Sequence, residues 1–155
     1  MYNHAPKDYK CPLCLIANGQ GNEITNQQDV VYKNKLITAF VSAKWWGNNP
    51  GQIIIIPNKH FEHIYDLPSE YGHAVQDAAK TIAIALKEVY KCDGTTILQH
   101  NEPAGTQEVF HYHLQVFPRY TDDGFYNNLK DPRWVEQKER LPFTEKMRKY
   151  FKEHE

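Results

Sequence analysis

The order of periodic segments predicts an α+β domain: β-β-β-α-β-β and then an extension, with an antiparallel five-stranded sheet, one main helix and a C-terminal helical extension. Three observations carry this. The run Gln52-Ile-Ile-Ile-Ile-Pro57 is short, apolar and unbroken, as a central strand covered on both faces requires. Between 69 and 90, Tyr71, Val75, Ala78, Ala79, Ile82, Ala85, Leu86 and Val89 recur at three- and four-residue steps, which gives a helix one apolar face. The stretch 111–116 alternates His111, His113 and Gln115 with Tyr112, Leu114 and Val116. Strand geometry puts the first three on one face and the others into the core.

The remaining elements follow in order. Residues 1–10 are polar and form a loose arm; Cys11-Pro-Leu-Cys14 leads into one short helical turn before the glycine-bearing segment 19–22. Asp29 to Lys33 and Leu36 to Ser42 read as two strands of a hairpin. Residues 43–51, with Trp45, Trp46, two asparagines and Pro50, have turn chemistry. The polar loop 58–63 follows the central strand. Ser69 is the expected N-cap of the main helix, and Gly94 its positive-φ stop. Thr95 to His100 is a strand, 101–106 a turn, and the next strand runs back antiparallel until Pro118 ends it. Residues 121–140 are polar, and Leu141 to Lys152 forms a short amphipathic helix. The expected organisation is a domain over 1–120, including the Cys-bearing arm, with 121–155 packed on it.

With 155 residues the chain is long enough for one real core. A net charge of −1 and a pI near 6.7 offer no electrostatic case for nucleic acid. No apolar run reaches membrane-spanning length and the N-terminus lacks a signal-like apolar stretch, so the expected location is cytoplasmic. Three cysteines, two of them in a CxxC, are not the pattern of a disulfide-stapled secreted domain. The CxxC could be a redox dithiol, half a metal site or chance. Its position before a glycine-rich break, rather than at the start of a long helix, favours half a zinc site completed from elsewhere. Cys92 reads as a buried thiol at the helix end.

The polar face of 111–116 admits a plain reading, a strand with its polar side in solvent. The ordered pieces around it point further. Cys11-Pro-Leu-Cys14, Ala39-Phe-Val-Ser42, Asn49-Pro-Gly-Gln52, the isoleucine run, Asn58-Lys-His60 and Asn101-Glu-Pro-Ala-Gly-Thr-Gln-Glu-Val-Phe-His-Tyr-His-Leu-Gln-Val-Phe-Pro-Arg119 together resemble the histidine-triad (HIT) superfamily of nucleotide hydrolases and transferases. The resemblance covers roughly Cys11 to Tyr120 and implies a HIT-like fold.

It also implies roles. The second histidine of the signature, here His113, would attack the α-phosphorus of a nucleotide and carry a covalent intermediate, with His111 and Gln115 as the other catalytic positions. A neutral imidazole suits this near pH 7, because the covalent step divides one hard displacement into two easier ones. Gln115 departs from the family's third histidine. Its amide donates a hydrogen bond but relays no proton, and the His-x-His-x-Gln form resembles the transferase branches. Hydrolysis of a dinucleoside polyphosphate or phosphoramidate is the leading expectation. The alternatives are a transferase or phosphorylase using phosphate or a sugar phosphate, and a nucleotide binder with little turnover. The resemblance further implies nucleotide contacts from Asn101, Gln107, Val109, Phe40 and Ser42. It implies a structural Zn²⁺ on Cys11, Cys14, His60 and His111, with His63 as the alternative third ligand, and a homodimer. Gln52 stands where many members have a histidine.

Overall fold

The computed structural model describes residues 2–154. Among the described residues seven strands and three α-helices follow one another: α1 (Pro12–Ala17), β1 (Val30–Lys33), β2 (Ile37–Val41), β3 (Lys44–Trp46), β4 (Ile53–Pro57), α2 (Ser69–Tyr90), β5 (Gly94–Gln99), β6 (Leu114–Arg119), β7 (Pro132–Trp134) and α3 (Gln137–His154). Five of the strands form one antiparallel sheet in the order β1-β2-β4-β6-β5, so the fold is α+β as the element order predicts. β2 and β4 sit inside it, and every residue of β2 is buried.

α2 lies across one face. Val75, Ala78, Ala79, Ile82, Ala85 and Leu86 pack with Ile37, Ala39, Ile53, Ile55, Leu114 and Val116 into the main core. Fully burying the Val, Ile and Leu side chains among them contributes about 1.5–3 kcal/mol each. On the opposite face, Leu13, Ile16 and Ala17 of α1 cover Phe40 and Ile56 in a smaller core.

Local details depart from the sequence expectation for physical reasons. Pro68, not Ser69, is the N-cap, without a side-chain hydrogen bond. At the other end Lys91 (φ 56°) takes the left-handed conformation expected of Gly94, which instead opens β5. The Lys87 ammonium donates to the carbonyls of Cys92 and Asp93 at 2.9 and 2.8 Å, supplying charge where the helix ends. Pro118 does not end its strand. The ladder to β4 has stopped at Val116, so a missing N–H beyond that point costs no bond on that side.

The 43–51 stretch is more than a turn. β3 pairs with β7, Lys44 opposite Trp134 and Trp46 opposite Pro132, in a small second sheet. α3 begins at Gln137 rather than Leu141 and holds Pro142 inside it. Its anchor is Arg140, buried against Asp29 with Nε–Oδ1 and Nη2–Oδ2 contacts of 2.9 and 3.0 Å. Gly51 (φ +80°) admits the helix closely: a Cβ there would lie 2.4 Å from Phe143 Cδ1.

Candidate active site

The site grows from the loop between β5 and β6. His111, Tyr112 and His113 precede the regular strand, which starts at Leu114. They are held by the end of β4 and the segment after it instead of by the ladder. The Tyr112 N–H donates to the Phe61 carbonyl at 2.6 Å, and the His111 Nε2–H to the Pro57 carbonyl at 3.0 Å. This detour separates side chains that simple alternation puts on one face: His111 turns toward the cysteines.

There, Cys11, Cys14, His60 and His111 offer ligand atoms that all lie within 4.8 Å of one another. Individual contacts are 3.4 Å from Cys11 Sγ to His111 Nδ1, 3.3 Å from Cys14 Sγ to His60 Nδ1 and 3.5 Å from Cys14 Sγ to His111 Nδ1. A tetrahedral Zn²⁺ with ordinary Zn–S and Zn–N bonds sets sulfur and nitrogen about 3.5 Å apart, so the spacing fits such an ion. The Pro57 carbonyl fixes the His111 proton on Nε2 and leaves Nδ1 to face the sulfurs, the usual outer support of a ligating histidine. Burial first, against the Pro57 hydrogen bond, brings His111 down to about 4, which keeps the ring neutral. Burial and then the adjacent Cys11 push the Cys14 thiol up to about 12. A dication among these donors reverses that tendency. His63 lies outside the group, buried with Nδ1 3.6 Å from Asp66 Oδ2.

His113 points elsewhere. Its Nδ1 is 2.8 Å from the His111 carbonyl; a carbonyl only accepts, so Nδ1 carries the proton and Nε2 keeps its lone pair. Burial lowers its pKa, the His111 carbonyl opposes that, His100 lowers it further and Glu108 raises it. Two residues on, buried Gln115 accepts from Gln52 Nε2 at 3.1 Å through Oε1, which leaves its own amide hydrogens to donate. Gln52, to which the sequence assigned nothing, is thus the group that orients Gln115.

The other expected residues are spread between contacts and braces. Gln107 accepts from Glu102 N–H at 2.7 Å and donates to the carbonyls of Glu62 and Val109 at 2.6 and 3.1 Å, so its amide closes the loop on itself. Asn101 accepts from Ile64 N–H at 2.8 Å and exchanges bonds with Gln99. The Ser42 hydroxyl is engaged by the backbone of Lys44. Phe40 is buried in the α1 core, with Val109 half-buried against the same cluster. Lys44 was not singled out by sequence; its ammonium lies 2.5 Å from Glu108 Oε2, beside the His113 loop. The strand that carries it, β3, pairs with β7, which is remote in sequence.

The HIT domain family matches residues 23–122. The chain is 32% identical over 115 residues to an uncharacterised HIT-like protein of Methanocaldococcus jannaschii, covering 74% of this chain and 82% of that one. It is 33% identical over 92 residues to the purine nucleoside phosphoramidase of Escherichia coli, 57% of this chain and 73% of the enzyme. Its fold resembles that of a zinc-bound histidine triad family protein from Mycobacterium smegmatis, with a TM-score of 0.75, 23% identity, and coverage of 94% and 98%. With the sheet order, the His-x-His segment held against β4 and this match over most of the chain, the protein belongs to the HIT family.

Proposed function

We propose that this protein hydrolyses nucleoside 5′-phosphate derivatives at the α-phosphorus through a covalent intermediate on His113. The observation that supports it most is the His113 tautomer: a neutral ring, oriented by the His111 carbonyl, with an unprotonated Nε2. In the first step the Nε2 lone pair forms the P–N bond while the bond from phosphorus to the leaving group breaks and its electron pair departs with that group. In the second, water attacks phosphorus, the P–N pair returns to Nε2, and the nucleotide is released. Gln115 N–H groups stabilise negative charge on the phosphoryl oxygens in both steps. Gln107 braces the loop while backbone donors beside Glu108 and Val109 hold the α-phosphate. Phe40, buried under α1, backs the pocket wall, with Ser42 and Asn101 shaping its edge. The resemblance to a phosphoramidase supports a small, nucleotide-bearing substrate.

Zn²⁺ on Cys11, Cys14, His60 and His111 supplies a structural cross-link between the N-terminal arm, the loop after β4 and the catalytic segment. The donor spacing supports this, and elemental analysis of protein purified without added metal tests it: about one zinc per chain is expected. A homodimer completes the reading. β5 is the sheet's edge, and Ile97 on it and Ile84 on α2 are 41% and 45% exposed, so an apolar edge is open for a second copy.

Gln115 favours one second reading, a transferase or phosphorylase in which phosphate or a sugar phosphate replaces water. Incubation with diadenosine tetraphosphate and with an adenosine phosphoramidate, each with and without phosphate, separates the two. AMP without added phosphate is expected, and phosphate-dependent ADP is the transferase result. His113→Ala should reduce turnover to background with its thermal transition retained; full activity in that variant overturns the nucleophile assignment.

A further inference from the structure

The amide at Gln115 has no proton to pass, yet a basic leaving group must receive one as it departs. The sheet register shows where one comes from. β5 and β6 run antiparallel with Leu98 opposite Gln115 and Gln99 opposite Leu114. The ladder ends at that last pair, with His100 the next residue after β5 and His113 the last before β6. Residues opposite one another share a face and successive ones alternate. Leu98 shares a face with Gln115, and His100, two residues beyond Leu98, leaves the strand toward that face, while Gln99 falls with Leu114 on the other.

Three further facts single it out. Its ring makes no hydrogen bond among the described residues; only its backbone carbonyl is engaged, by Gln99 Nε2 at 2.8 Å. It is half-buried, neither lost in the core nor free in solvent. It also lies within electrostatic reach of both His113 and Glu108. Nearby histidines are committed elsewhere: His111 to Pro57 and the cysteines, His60 to Cys14, and His4 to Glu102 at 2.9 Å.

We infer that His100 is the general acid and base of the reaction proposed above, doing from β5 what Gln115 cannot do from β6; the inference rests on that reaction. When His113 Nε2 bonds to phosphorus, the imidazolium of His100 gives its proton to the departing amine or alcohol and becomes neutral. Neutral His100 then takes a proton from the attacking water as the P–N bond breaks. The cycle returns both histidines to their starting states, and the sum is substrate plus water giving nucleotide plus protonated leaving group. Burial lowers the His100 pKa and Glu108, itself paired with Lys44, raises it. A bound phosphate adds to the side of Glu108, so substrate arrival favours the loaded acid.

Single-turnover release, with enzyme in excess, tests this on two adenosine 5′-phosphate derivatives. One carries an alkylamine, which needs a proton to leave; the other carries p-nitrophenolate, which does not. In His100→Gln, amine release should slow by about a hundredfold or more, and nitrophenolate release by less than about fivefold. Added imidazole should restore amine release in His100→Ala. Unchanged amine release overturns the inference. So does equal slowing of both substrates that imidazole does not relieve in the alanine variant. If the unsubstituted protein releases neither group, or His113→Ala releases both, the proposed reaction itself fails and takes the role of His100 with it.

Discussion

Asp123 shows how much one carboxylate can hold together. It is buried and receives two bonds from the Arg119 guanidinium, at 2.7 and 2.9 Å, and others from Asn49 Nδ2, the Tyr120 N–H and the Phe125 N–H. The Arg119 contact, ahead of burial, which opposes it, holds its pKa well below the usual carboxylate range. A depressed folded-state pKa means stability that is present above the unfolded value, near 3.9, and lost as pH falls through the folded one. Asp123→Asn should therefore destabilise the fold at neutral pH by about 1.5–3 kcal/mol, the worth of hydrogen bonds to a charged group. It should also flatten the decline in stability below about pH 4. Urea titrations at pH 7 and pH 3 check both; a variant as acid-sensitive as the original protein contradicts the assignment. At this scale the sequence was informative where chemistry is intrinsic to a side chain. An imidazole at 113 and paired thiols at 11 and 14 could be read directly. The orienting role of Gln52 could not, because it exists only once β4 and β6 are neighbours.

Among the elements, α3 is tied down by one buried ion pair and a few large side chains. Met147 and Phe151 enter the main core, while Arg140 reaches Asp29 at the start of β1 and also donates to the carbonyls of Ile24 and Val135. Removing one partner leaves the other charge buried and alone, which costs about 3–5 kcal/mol. Arg140→Ala should lower the urea midpoint by a corresponding amount, whereas Arg133→Ala, on the exposed β7, should change it little. Equal effects of the two would deny the ion pair its role. The helix itself was legible from its apolar spacing, but its start was not. Arg140 reads as a surface residue until the fold supplies Asp29. β3 and β7 were missed for a related reason: three-residue strands carry too short an alternation to register, and their pairing spans most of the chain.

For the whole molecule, the arrangement of covered and open faces sets the function. α2 seals one side of the sheet; α1 packs on β2 and β4 on the other, and buried His113 and Gln115 with half-buried His100 belong to the β6–β5 end. The wall beyond Gln115 is aromatic: Trp46 meets Phe117 at 5.2 Å and Phe117 meets Phe125 at 4.9 Å between ring centres. The open edge of β5 belongs to the same scale. Ile97→Lys should convert a dimer into a monomer, read as a halved mass by light scattering. A mass already equal to one chain in the unsubstituted protein would remove the dimer. No helix among the described residues is long and apolar enough to cross a membrane.

Period and punctuation in the sequence determined the class of fold, the order of the five principal strands and the place of the main helix, because hydrophobic burial acts on local patterns. The alternation at 111–116 and the CxxC marked His111, His113, Gln115, Cys11 and Cys14 as candidates, and the resemblance to the HIT superfamily added His60, Gln107 and the expected roles. Tertiary structure alone decided how those residues divide: His111 toward the sulfurs, His113 against the His111 carbonyl, Gln107 and Asn101 into bracing the loop. It also brought His100, just past β5, within electrostatic reach of His113. Each of these depends on register and on hydrogen bonds between segments tens of residues apart, which no local pattern encodes.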